Sequence, residues 1–145
     1  MQKFRKIVAA GAFDPAFHSI IHLKSGKIHH YEASVQFCGN PKDASPFRGI
    51  TFAEEDDLID EFDIMMAKKV VLWLSKKPRN RNAYNVLVNV SENSIDNDQY
   101  LDQLDKLLKA NDWTQGKLCF EITESGRMFD MDSANNFIQL LRKAV

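Results

Sequence analysis

The sequence has few of the features that would place it in a specialised class of protein. Its two cysteines, Cys38 and Cys119, show no CxxC or Cys/His spacing, which argues against a disulfide framework and against a zinc finger. Two reduced, packed thiols are expected. No apolar run approaches the roughly 20 residues that span a bilayer, and the first residues lack the apolar core of a secretory signal. The expected location is the cytoplasm.

A strong charge imbalance is also missing. The net charge of −1 and the pI near 6.4 give no support for binding to nucleic-acid polymers or to membranes through bulk electrostatics. Any anionic ligand must then be held by a local site. The content of 44% hydrophobic and 27% charged residues matches an average globular protein without disorder or repeats. This composition and length predict one domain over residues 1–145.

The first half of the chain predicts a β-hairpin followed by a helix. Residues 17–37 read FHSIIHLKSGKIHHYEASVQF, two runs of aromatic and β-branched residues separated by a Ser-Gly turn. Residues 39–49 hold two prolines and two glycines and predict a loop. Thr51 and Glu54 form a capping-box pattern. The apolar residues that follow at spacings of three and four predict a long helix as far as Leu74.

The second half alternates strands with helices. Residues 84–90 (YNVLVNV) and 117–123 (KLCFEIT) predict strands, and residues 95–108 and 134–145 carry helical apolar spacing. The predicted order is therefore β-β-α-β-α-β-α. Short links between strands and helices favour right-handed βαβ units and a largely parallel sheet, after one antiparallel hairpin at the start. The predicted fold class is α/β.

Three predicted strands carry polar residues where a sheet covered on both sides should be apolar. Glu32, Asn89 and Glu121 each lie near the carboxyl end of a strand, the rim where parallel α/β folds build their sites. Carboxylate and amide oxygens suit Mg²⁺ or Mn²⁺ better than zinc. The pattern predicts a divalent-cation site. The alternative is that each polar residue separately caps or hydrogen-bonds a nearby helix start.

Two other polar groups have simpler interpretations. His18 and His22 share a strand face, and His29 and His30 are expected to point to opposite faces. This spacing favours ordinary strand packing over a histidine metal site. The basic residues within 76–81 (KKPRNR) are interpreted as a solvated turn rather than a phosphate clamp.

Five short motifs, in the same order along the chain, resemble the amino-terminal half of EAL domains. These domains are phosphodiesterases and receptors of the bacterial second messenger cyclic di-GMP. The resemblance implies a partial TIM-like (β/α) barrel whose first strand runs antiparallel to the others. The motifs are FHSII (17–21), Glu-Ala-Ser (32–34), FAEEDDLI (52–59), VNVS (88–91) and FEITES (120–125).

The resemblance also implies a role for the polar strand residues. The family residues at the positions of Glu32, Asn89 and Glu121 are metal ligands in a two-metal hydrolysis, in which the cations activate a water and stabilise charge on the phosphodiester. The alternation of side chains along the strands and the family motifs therefore select the same three residues. The implied cofactor is Mg²⁺ or Mn²⁺, or none where the site does not function.

Several positions depart from the family pattern. Ser34 replaces the Leu of Glu-Ala-Leu, Gln36 replaces an Arg that meets a phosphate, His18 replaces a Gln, and Asp57 replaces a Gly. The family's later motifs, a paired Asp-Asp, a Lys, a further Glu and a Gln, are not among residues 1–145. Exchanging Arg for Gln removes a cation and its planar fork from a site for a dianionic ligand. We therefore expect weak cyclic di-GMP binding at the substituted positions, no hydrolysis by the chain as it stands, and no assignable catalytic residue.

The expected function is that of a degenerate or truncated EAL-like domain acting as a binding or interaction module in cyclic di-GMP signalling. One alternative is part of an active Mg-dependent phosphodiesterase, completed by sequence after Val145 or by another chain. A second is a ligand-free oligomerisation domain. Because half a barrel leaves open sheet edges and an uncovered apolar inner face, we expect a homo-oligomer or association with another domain.

Overall fold

A four-stranded sheet with helices packed on one side forms the framework of the structure. The computed structural model describes residues 2–37, 58–78, 84–123 and 130–144. A single 3₁₀ turn in these ranges, Asp112–Thr114, precedes the last strand. The other elements are α1 (Gln2–Ala10), β1 (Phe13–Ile21), β2 (Ile28–Phe37), α2 (Ile59–Ser75), β3 (Val86–Ser91), α3 (Glu92–Ile95), α4 (Asp98–Ala110), β4 (Leu118–Thr123) and α5 (Met131–Ala144).

The topology confirms the predicted α/β class. The sheet order is β1-β2-β3-β4. β1 is antiparallel to β2, whereas β3 is parallel to both β2 and β4. Helices α2 and α4, which lie between successive parallel strands along the chain, pack on the same side of the sheet, as in one part of a (β/α) barrel. No helix within the described ranges is long and apolar enough to cross a membrane.

Two helices differ from the prediction. Helix α1 was not expected from the sequence. It is held by tertiary contacts, because its Val8 is fully buried in a cluster with Phe13, Val35 and Phe62. The single helix predicted over residues 95–108 is divided into α3 and α4. The division occurs at Asn97, whose side-chain oxygen accepts hydrogen bonds from the amides of residues 99 and 100 and so starts a new helix.

One face of the sheet, which we call the helix face, is apolar and buried. Along β3, Val86, Val88 and Val90 are buried while the residues between them are only half-buried, the alternation expected when a strand is covered on one side. Val86 and Val88 pack with Val70 and other side chains of α2, and Val90 packs with residues of α2, α4 and α5. Burial of this face is what holds the helices on the sheet.

The opposite face, which we call the open face, is mainly polar. It carries Glu32 and Asn89, both half-buried, and Cys119 and Glu121, both exposed, with the half-buried Leu87 between them. The expected apolar inner face is therefore wrong for the described strands. The prediction of a packed thiol is also wrong for Cys119, because strand parity directs its side chain away from the helices.

Several predictions concern residues outside the described ranges. These are the loop at 39–49, the capping box of Thr51 and Glu54, and the substitution at Asp57; Cys38 and part of the basic turn also lie there. Within the described part of that turn, Nζ of Lys77 lies 4.6 Å from the centroid of the Trp73 ring. This lysine packs on an aromatic face, which agrees with a structural rather than a phosphate-binding role.

The buried Tyr100 predicts how stability depends on pH. It is 2% exposed, and burial, followed by the charge of Asp63, raises the pKa of its hydroxyl well above 10.0. The unfolded chain ionises this group near pH 10, so its stabilising contribution is complete below that pH and is lost as the pH rises above it.

As the pH rises from about 9 to about 11, we therefore expect the free energy of unfolding to fall less for Tyr100→Phe than for the native chain. Urea unfolding followed by circular dichroism measures this, with Tyr84→Phe as a control for loss of a tyrosine hydroxyl. Equal pH slopes for the native chain and Tyr100→Phe would contradict the assignment.

Candidate metal and nucleotide site

Strand register places the three predicted metal ligands on the open face. Asn89 and Glu121 are direct partners on the parallel strands β3 and β4. Glu32 on β2 is the partner of Leu87, which precedes Asn89 by two residues. Because residues two apart along a strand share a face and neighbouring strands lie about 4.8 Å apart, Asn89 and Glu121 are spaced so that one cation can contact both.

The chemistry of these donors fits a hard divalent cation. Two carboxylates and one amide supply oxygen ligands only, the donor set that Mg²⁺ and Mn²⁺ prefer, and both ions commonly keep water ligands in protein sites. The described residues contain no group of three or more His, Cys, Asp or Glu side chains placed to hold a metal ion. Glu32, Asn89 and Glu121 would therefore hold such a cation only with water or further donors completing its coordination.

A small polar network lies beside Glu32. Its cross-strand partner is His18, whose Nε2 is 3.0 Å from Oγ of Ser34. The Ser34 hydroxyl donates to the carbonyl oxygen of Ala16 at 3.3 Å. With that proton engaged, the serine oxygen is the acceptor for His18, so the imidazole proton is assigned to Nε2. His18 and Ser34, two of the predicted nucleotide-binding residues, are thus hydrogen-bonded to each other, and the hairpin holds both on the open face.

Gln36 lies on the same face, two residues beyond Ser34, and is exposed. Its cross-strand partner is Asp14, one carboxylate oxygen of which lies 3.6 Å from Nζ of Lys69. Directly opposite residues of an antiparallel pair have Cβ atoms about 5 Å apart. A neutral amide therefore stands where the EAL pattern has an arginine, beside a carboxylate whose charge Lys69 offsets.

Among the residues that the structure describes, helix capping at the end of β3 falls on a neighbour of the predicted ligands rather than on the ligands themselves. In the described ranges, no hydrogen bond joins Glu32, Asn89 or Glu121 to a helix start. The cap at the end of β3 is instead Ser91, whose Oγ accepts from the amide of Asn93 at 3.3 Å. Capping and the candidate ligand role thus fall on different residues of the same strand.

Comparison with models of protein families identifies the family of the chain. A model of the EAL domain matches residues 1–144, nearly the whole chain. The chain belongs to the EAL domain family. A search of curated proteins finds no match.

Solved EAL-domain structures share the fold. The FimX EAL domain of Xanthomonas citri in complex with cyclic di-GMP aligns with a TM-score of 0.81 at 20% identity, over 99% of this chain and 56% of that chain. LapD of Vibrio cholerae bound to cyclic di-GMP aligns with a TM-score of 0.82 at 17% identity, over 99% and 35%. BlrP1 of Klebsiella pneumoniae with manganese and cyclic di-GMP gives 0.69 at 16%, over 92% and 33%. This EAL chain spans about half of the FimX domain, and it has the fold of a partial TIM-like barrel.

A buried carboxylate that the sequence analysis missed anchors the carboxyl end of β3 in this EAL domain. Asp63 of α2 is 5% exposed and accepts hydrogen bonds from the amide of Ser91 at 2.8 Å and from the hydroxyl of Ser94 at 2.6 Å. Ser91 follows Asn89 by two residues, so this contact fixes the strand end that carries the candidate ligand. The available signal was a lone carboxylate within the apolar stripe of α2.

The two adjacent histidines of the hairpin also differ from the prediction. The Nδ1 atoms of His29 and His30 lie 2.8 Å apart, so the expectation that these rings point to opposite faces is wrong. The pairing of β1 with β2 moves from His30 to Ile28 between consecutive residues of β1, which leaves His29 as the extra residue of a β-bulge. A bulge breaks the alternation of side chains, and the rings meet.

The Asp63 contact predicts a large effect on stability. Asp63→Ala leaves the Ser91 amide and the fully buried Ser94 hydroxyl without their charged acceptor, and we expect a loss of about 3 kcal/mol in the free energy of unfolding.

The measurement is urea unfolding at neutral pH. The control is Asp102→Ala, which removes an exposed i,i+4 pair with Lys106 at 2.7 Å and should cost no more than about 0.5 kcal/mol. Similar losses in the two variants would show that Asp63 does not anchor β3.

Proposed function

We propose that this EAL domain is a binding or interaction module of bacterial cyclic di-GMP signalling that does not hydrolyse the dinucleotide by itself. The observation that carries the proposal is the composition of the open face. It keeps Glu32, Asn89 and Glu121 on neighbouring strands but has Gln36 opposite Asp14. The open face thus retains the oxygen donors for a metal cation, but at position 36 it lacks the positively charged arginine that would orient a phosphate.

Cyclic di-GMP binding should depend on the cation. Glu32 and Glu121 place two carboxylates beside Asn89, and by themselves they would repel a phosphodiester. A bound Mg²⁺ or Mn²⁺ would supply the positive charge that offsets this repulsion. The three side chains would hold the ion, and the His18–Ser34 pair would border the ligand on the hairpin side.

The absence of hydrolysis follows from poor positioning rather than from loss of the three ligands. Efficient attack on a phosphodiester requires the reacting phosphate to be held within a fraction of an ångström of its productive position. Gln36 offers a single neutral amide in place of a bidentate, charged fork. His18 is already engaged with Ser34, so it does not replace that fork.

Titration calorimetry of the 145-residue chain with cyclic di-GMP, with and without Mg²⁺ or Mn²⁺, tests this function. We expect binding only when the cation is present, and no linear dinucleotide by chromatography. Glu121→Gln should weaken cation binding because it removes one of the two ligand carboxylates, whereas Glu61→Gln, an exposed change on α2, should not. Absence of nucleotide binding under all conditions would select the ligand-free domain instead.

Restoring the family's cation is the converse test. Gln36→Arg should tighten Mg-dependent cyclic di-GMP binding by about 10- to 100-fold, the factor expected from one charge-assisted hydrogen bond to a phosphate. Gln139→Arg introduces the same charge at an exposed position of α5, and calorimetry should detect no change for it. An equal gain in both variants would assign the effect to net charge and reject the role of position 36.

A second candidate is part of an active Mg-dependent phosphodiesterase completed by further sequence or by an associating chain. It is favoured by the retained ligand set and by the length of this chain, which covers 56% of the FimX EAL domain. In the described sheet β1 and β4 are edge strands, and such edges favour association with a second copy or another domain. Mg-dependent turnover that Glu32→Ala abolishes would select this candidate over the first.

A further inference from the structure

The turn end of the β1–β2 hairpin is apolar and exposed. We call residues 20–30 the hairpin tip. Four large apolar side chains lie there with high fractional exposure: Ile20 at 40%, Ile21 at 52%, Leu23 at 97% and Ile28 at 50%. Isolated exposed apolar residues are ordinary on protein surfaces, whereas a contiguous group of them marks a surface that contacts another phase or molecule.

The tip is an ordered turn that displays its apolar residues. The amide of His22 donates to the carbonyl oxygen of Lys27 at 2.9 Å, and the amide of Gly26 donates to that of His22 at 2.9 Å. Gly26 has a φ of 65°, a conformation that glycine adopts without steric cost. Leu23 therefore projects from a hydrogen-bonded turn, and little ordering is needed before it makes a contact.

The apolar residues surround the tip rather than forming one flat patch. Ile20 is paired with His30, and the next residue, Ile21, is paired with Ile28. The bulge lies in β2, so consecutive residues of β1 still point to opposite sides of the sheet, and Ile20 and Ile21 therefore lie on opposite sides, with Leu23 beyond both. A groove on a protein would cover one side, whereas the interfacial region of a bilayer would surround all of them.

The charge of the tip is the opposite of that of the whole chain. Residues 19–31 contain Lys24, Lys27 and three histidines and no aspartate or glutamate, although the chain has a net charge of −1. Lysines next to apolar residues can keep the ammonium group in water while the stem lies along apolar surface. This combination complements a surface of anionic headgroups above hydrocarbon.

We propose that the hairpin tip docks on an anionic lipid bilayer, with Leu23 and the neighbouring isoleucines in the headgroup region and Lys24 and Lys27 against the lipid phosphates. The net charge predicts no membrane binding through bulk electrostatics, but the local charge around these residues is positive. A single short hairpin buries little apolar surface, so the attachment is peripheral and reversible. This inference is independent of the nucleotide function proposed above.

Sedimentation of the 145-residue chain with phosphatidylcholine vesicles, and with vesicles that also contain about 30% phosphatidylglycerol, tests the proposal. We expect binding to the anionic vesicles only. Leu23→Asp should lower the partition coefficient about tenfold because it removes the most exposed apolar side chain. Lys24→Gln and Lys27→Gln should each lower it about fivefold, and added salt should weaken binding by the native chain.

Leu72→Asp is the matched control. Leu72 is another exposed apolar residue, 57% exposed on α2, and its replacement should leave vesicle binding unchanged while circular dichroism confirms that both aspartate variants are folded. Equal partitioning of the native chain and Leu23→Asp would overturn the proposal, as would an equal loss in Leu72→Asp. Self-association that Leu23→Asp abolishes, without vesicle binding, would assign the tip to a protein contact and would also overturn it.

Discussion

The packing of α2 against one face of the sheet is the interaction on which the rest of the structure depends. Val70 of α2 is fully buried against Val86 and Val88 of β3. Once these alternate residues face the helices, the residues between them must face the other way. The candidate ligands Asn89 and Glu121 therefore occupy the open face as a direct consequence of core formation. The same helix carries Asp63, so core, strand end and candidate site form one connected unit.

The polarity of β2 separates the two proposed functional regions. This strand begins at Ile28 beside the hairpin tip and runs through Glu32 toward Gln36. The candidate metal site therefore lies toward the carboxyl end of the parallel strands, and the apolar, basic tip lies at their amino end. The two regions also carry opposite charges, since the site holds carboxylates and the tip holds lysines. Docking through the tip would leave the open face available to a small anionic ligand and its cation.

Local patterns in the sequence were sufficient for the parts of the fold that depend on period and composition. The hairpin, the long α2 helix and the strand around Glu121 follow from alternation and from apolar spacing, because one covered face imposes a repeat of two on strands and about 3.6 on helices. The same parity identified Glu32, Asn89 and Glu121. It did not identify α1, since the burial of Val8 depends on contacts with later strands and helices.

The sequence by itself determined the EAL family, the α/β class and the face on which each candidate ligand lies. Only the tertiary structure decided which of those residues become neighbours, because strand register arises from pairing between distant segments. It also decided that His29 meets His30 at a bulge and that Asp63 holds Ser91, 28 residues away along the chain. Such contacts leave no repeating pattern of residues in the sequence. They exist only after packing has brought the partners together and excluded water from their hydrogen bonds.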